Sequence, residues 1–161
     1  MPNWCMNSLT LEHEDKAKIE EFQRAFEGGD GLFHSYLPIP NDVEDRMTWC
    51  WDNWGTKWDM TSSDSQVLTY EVDDAGITMS FDTAWSPPTG FYAELKRQGF
   101  KVFAQFYEPG VGFVGSWEDG ADVCLSIPGT LKELRENIPA SMIDDWGIER
   151  DFDWPDKEEA A

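Results

Sequence analysis

Residues 4–29 read WCMNSLTLEHEDKAKIEEFQRAFEGG, and the change of period inside this stretch decides the fold class. From Trp4 to Leu11 polar and apolar residues interleave, with Cys5, Leu9 and Leu11 on one side, the period-2 pattern of a half-buried strand. After Asp15, a residue suited to capping, Ile19, Phe22 and Phe26 recur at helical spacing until Gly28-Gly29 stops the run near Glu27. A strand followed directly by an amphipathic helix points to a mixed domain.

Working outward, Leu32 to Leu37 reads as a short strand closed by Pro38-Ile39-Pro40, which makes the first unit β-α-β. Residues 41–64 have no clean period and crowd Trp49, Trp51, Trp54 and Trp58 among Asp, Asn, Gly and Lys, so a short helix and an ordered loop are expected. Gln66 to Val72 and Ile77 to Asp82 form a hairpin about Asp73-Asp74-Ala75-Gly76. Ser86-Pro87-Pro88 opens a helix carrying Phe91 and Leu95, with Gly99 as its stop, and Lys101 to Tyr107 alternates as a strand. Val111 to Trp117 and Ala121 to Ile127 form a second hairpin, and a final helix spans Thr130 to Asn137 before Pro139.

This order predicts an α+β fold, a ferredoxin-like sandwich with a mainly antiparallel sheet and helices on one face. An inserted Trp-rich loop and a C-terminal β-hairpin and helix are added to it. The 161 residues make one domain over 1–149 with a frayed acidic tail over 150–161. No linker or solenoid repeat divides the chain.

The formal charge is −20, from 32 acidic against 12 basic side chains. Duplex affinity comes largely from Lys and Arg displacing counterions, so direct nucleic-acid binding is disfavoured. The same charge admits the opposite idea, that the protein stands in for DNA. A chain of this length has a radius of gyration near ~15 Å, and a duplex spanning the matching diameter of about 40 Å carries roughly 23 charges. Mimicry would need the carboxylates on one face; the alternatives are solubility and adaptation to a salty host.

Cys5, Cys50 and Cys124 are odd in number, far apart and set in apolar surroundings, which fits buried reduced thiols rather than disulfides. No close ligand pair suggests zinc, and no cofactor is expected. The start of the chain lacks a secretory pattern and no run approaches a membrane span, so a cytoplasmic protein without membrane contact is expected.

Several pieces together resemble the YubB ferredoxin-like domain family of plasmid and phage proteins. They are Met1-Pro2-Asn3-Trp4-Cys5 with Asn7 and Leu9, Leu37-Pro38-Ile39-Pro40, Trp54-Gly55-Thr56-Lys57-Trp58-Asp59, Phe81-Asp82-Thr83-Ala84-Trp85-Ser86-Pro87-Pro88, and Tyr107-Glu108-Pro109-Gly110 followed by Gly112-Phe113. The resemblance implies a ferredoxin-like core and an origin on mobile DNA, where accessory genes often counter host defences. It implies no iron–sulfur cluster and transfers no catalytic residue.

Two binding sites are candidates. Asn53, Trp54, Lys57, Trp58 and Asp59, joined by Trp85 and Glu108, could form a pocket in which indoles give flat contact and fixed charges orient a polar partner. Alternatively the rings staple the loop to the sheet and Lys57 pairs with Asp59 or Glu108. The second candidate is the acidic set Asp144, Asp145, Glu149, Asp151, Asp153 and Asp156 with Trp146 and Trp154, able to meet a basic groove. Its alternative is a solvated tail.

No nucleophile elbow, phosphate loop or metalloprotease pattern occurs, and a carboxylate pair means little in so acidic a chain. The expected function is therefore binding without catalysis. One reading is an accessory protein that inhibits a basic host defence enzyme or nucleoprotein complex by contact; the other is a small-ligand or nucleotide sensor using the Trp-rich loop.

Overall fold

The computed structural model describes residues 2–152, and its organising element is the alternating strand at the N-terminus. β1 (Trp4–Glu12) buries Cys5, Asn7, Leu9 and Leu11 and turns its other side chains the opposite way. It lies near the centre of a six-stranded sheet with β2 (Val67–Val72), β3 (Gly76–Ala84), β4 (Lys101–Glu108), β5 (Phe113–Glu118) and β6 (Ala121–Ser126). The order is β2-β3-β1-β4-β5-β6, and every neighbouring pair is antiparallel. The fold is an α+β sandwich.

α1 (Lys16–Glu27) starts where Asp15 accepts from the Ala17 amide at 2.9 Å, and it buries Ile19, Phe22 and Phe26 as its period requires. α4 (Thr89–Arg97) buries Phe91, Tyr92 and Leu95. Both rest on the sheet face formed by Leu9, Leu11, Met79, Val102 and Ala104, which makes one continuous apolar core. Each fully buried large side chain there stabilises the fold by about 1.5–3 kcal/mol before entropy is counted.

The segment expected as a strand after the double glycine is instead a helix, α2 (Leu32–Tyr36). The first unit is therefore not β-α-β; α2 and α3 (Arg46–Asn53) follow α1 before the next strand begins. Five residues carry too little local preference to choose a helix, and this one forms because a distant carboxylate satisfies its first amides.

While α1, α2 and α4 cover one face, the C-terminal elements use the other. α5 (Leu131–Asn137) and α6 (Ala140–Trp146), with a 3-10 turn at Ile148–Asp151, bury Leu134, Met142, Ile143 and Ile148. These meet Tyr107 and Val114 with Met6 and Leu125, a row paired across β1, β4, β5 and β6. α6 was not expected, and Arg150 and Asp151, read as frayed tail, belong to the 3-10 turn. Cys124, read as buried, is exposed on the edge strand β6, whereas Cys5 and Cys50 are buried. Among the described residues no helix is long and apolar enough to cross a membrane.

Candidate ligand groove at the tryptophan-rich end

α3 is capped by Asp45, whose carboxylate accepts from the Thr48 hydroxyl at 2.6 Å and the Thr48 amide at 3.1 Å; these bonds hold its pKa below the ordinary value. The helix ends at Asn53, whose amide side chain donates to the Trp49 carbonyl at 2.9 Å. It then packs tightly on α4: a Cβ at Gly90 would lie 1.9 Å from the Asn53 carbonyl oxygen. The chain must therefore enter the Trp-rich loop from a fixed point.

Within that loop, the residues divide by role. Trp54 is buried, donates its indole N–H to the Leu37 carbonyl at 3.0 Å, and packs on Phe33 and Trp49 with ring centroids 5.7 and 5.8 Å away. It anchors the Leu37–Ile39 segment. Asp59 is spent on α2, accepting from the amides of Phe33 at 2.7 Å and His34 at 2.8 Å, with the Met60 amide at 2.8 Å. Burial raises its pKa against these hydrogen bonds. For these two residues the stapling alternative describes the structure.

Lys57 and Trp58 are different. The Lys57 ammonium lies 4.9 Å from the centre of the Trp58 ring, which is 43% exposed and whose centroid is 6.1 Å from that of Trp4. Lys57 makes no ion pair among the described residues, so the expected pairing with Asp59 or Glu108 does not form. Together with Arg46, Met47, Cys50 and Ile39, these residues line an open groove of about 390 Å³ floored by Trp54. Arg46 also lacks an ion pair among the described residues, whereas five other cations have one.

Glu108 is not part of this groove. It is buried beneath the turn after β4, where one carboxylate oxygen accepts from the Gly110 amide and the other from the Val111 amide at 2.7 Å. A buried carboxylate is tolerated there because backbone donors meet it. Trp85 is on the loop next to the groove: the Thr56 hydroxyl donates to the Ala84 carbonyl at 2.8 Å, and the Ser86 hydroxyl donates to the Gly55 carbonyl. Its φ is 70°, a left-handed conformation that costs a bulky residue about 1–3 kcal/mol.

The acidic set is dispersed. Asp144 and Asp145 are exposed on α6, Glu149 accepts from Arg135 at 2.8 Å, and Asp151 accepts from the Tyr107 hydroxyl. Asp153 and Asp156, with Trp154, lie outside the described residues. Exposed carboxylates also line α1, at Glu20, Glu21 and Glu27, on the opposite side of the sheet from Asp144 and Asp145. The carboxylates therefore stand on both faces of the molecule.

Sequence reasoning missed Arg46, Met47, Cys50 and Ile39 as groove residues. A local signal existed for part of the set: the Asp45 cap fixes the helix start, and the i, i+4 spacing then puts Arg46 and Cys50 on one side. Ile39 could be placed only by the contact between Trp54 and the Leu37 carbonyl.

No protein-family model matches the chain, and neither does any curated protein. Among solved structures, the crystal structure of a protein api92 from Yersinia pseudotuberculosis, of family DUF1281, is similar to it with a TM-score of 0.42 and 14% sequence identity. The match covers 61% of this chain and spans 40% of that one.

Proposed function

We propose that this chain is a ligand-binding protein whose site is the groove between α3 and the loop of residues 54–59, and that it takes small, planar, anionic ligands of the nucleotide type. The supporting observation is that Arg46 and Lys57, cations without an ion pair among the described residues of an acidic protein, flank an exposed indole over an apolar floor. A flat ligand stacks on Trp58 while its anionic group draws the Lys57 ammonium off the ring and toward Arg46. The groove volume falls within the ~300–1,000 Å³ usual for small-ligand sites.

The test is tryptophan fluorescence titrated with adenosine 5′-monophosphate and, as a second planar anion, indole-3-acetate. Quenching that saturates, with affinity at least tenfold weaker in Arg46→Gln and Lys57→Gln, supports the site. Unchanged affinity in both variants, or no response to either probe, removes it.

A second reading is favoured by the charge of −20, against which five ion pairs stand among the described residues. In it, an accessory protein of phage or plasmid type docks on a basic host protein that handles nucleic acid and inhibits it. The resemblance to the YubB family supplies that setting. Such binding weakens steeply with salt. Capture from host lysate at low and high salt tests it, and recovery of no basic nucleic-acid-binding protein under either condition counts against it.

A further inference from the structure

Trp85 holds a left-handed backbone, φ 70°, that few bulky residues adopt. A glycine would adopt φ 70° without strain, yet a tryptophan stands there with its indole 38% exposed and no ring contact among the described residues. Its backbone is held on both sides. The Trp85 amide donates to the Asn3 carbonyl at 2.8 Å, the Ala84 carbonyl accepts from Thr56, and the Ser86 carbonyl accepts from the Thr83 hydroxyl at 2.7 Å. These bonds tie the backbone around Trp85 to the loop that presents Trp58, and the residue they hold is 38% exposed. Strain maintained around an exposed indole that no other ring covers is a mark of a contact residue.

We propose that Trp85 is a second stacking residue, so that the site extends out of the groove and accepts two flat groups joined by a single anionic link, the chemistry of a dinucleotide. This rests on the groove reading above. The negative field of the whole molecule penalises every added phosphate, which confines the ligand to a short one rather than a polynucleotide strand.

The experiment is calorimetric titration of the whole chain with adenosine 5′-monophosphate and with the dinucleotide adenylyl-3′,5′-adenosine. One additional base stacked on an indole gives the dinucleotide an advantage of about tenfold. Trp85→Gly and Trp85→Asn, both tolerant of positive φ, bring the dinucleotide to the level of the mononucleotide, leave mononucleotide affinity unchanged, and melt no lower than the parent. Equal binding of the two probes by the parent overturns the proposal, as does an advantage that survives in both variants. A lower melting temperature in both variants also overturns it, because the indole would then be an anchor. Absence of mononucleotide binding by the parent instead removes the groove reading, and the proposal falls with it.

Discussion

Asp59 accepts a hydrogen bond of 2.7 Å from the amide of Phe33, a residue 26 positions earlier in the chain. This contact turns the Trp-rich loop into the N-terminal cap of α2. It leaves no room for a side chain at Gly31, whose Cβ would lie 2.2 Å from an Asp59 carboxylate oxygen.

Removing that cap should destabilise the fold. Asp59→Ala leaves the amides of Phe33 and His34 without their acceptor, and the expected loss is about 1–3 kcal/mol. Urea unfolding followed by tryptophan fluorescence measures it. Asp59→Asn retains one carbonyl acceptor and should fall between alanine and the parent, an order that general disruption would not produce.

The junction of α3 and α4 should be equally intolerant of added volume. Gly90→Ala puts a Cβ against the Asn53 carbonyl, and the resulting shift costs about 1–3 kcal/mol. Because Asn53 leads directly into the groove loop, ligand affinity should weaken in the same variant, and parallel denaturation and fluorescence titrations check both.

Asp82 gives a pH test with a definite sign. Burial raises its carboxyl pKa above 3.8, and one of its oxygens is buried without a hydrogen-bond partner. The folded state therefore holds this proton to higher pH than the unfolded chain does. Its contribution favours folding most below the unfolded value and is lost as pH rises through the folded value. Asp82→Asn should accordingly raise the unfolding midpoint at pH 7, with the gain disappearing below pH ~3.8, the range in which the parent's carboxyl is protonated in both states. An equal gain at both pH values would show that charge is not the cause.

The second core should matter for stability but not for the groove. Leu134→Ala removes a fully buried side chain from the contact of α5 with the sheet, at an expected cost of about 2–5 kcal/mol. Tyr107→Phe loses the bond to Asp151 and should cost about 1 kcal/mol. Both variants should keep the ligand affinity of the parent, as read by fluorescence under conditions where they remain folded.

Much of the fold was legible because its signals are local. Period-2 alternation marked β1 and β4, helical spacing marked α1 and α4, and Asp15 and Gly28 bounded α1 within a residue or two. α2 was misread because its cap comes from Asp59, and the docking of α5 and α6 was hidden because Pro139 ends one helix and opens the next. In the site, the aromatic and charged residues were visible as a cluster, but their roles were not. Trp54 and Asp59 turn inward as anchors, Glu108 supports another turn, and Arg46 enters from α3.

By itself, then, the sequence determined the class of the fold, the identity of most strands and helices, the strong negative charge and the concentration of indoles in one segment. Those properties follow from periodicity and composition, which each stretch carries with it. Only the tertiary structure decided which face each helix covers, which carboxylates are spent on backbone amides, and which cations remain without an ion pair among the described residues. Such outcomes depend on distances between groups far apart in the chain, and the packing of the sheet brings those groups together.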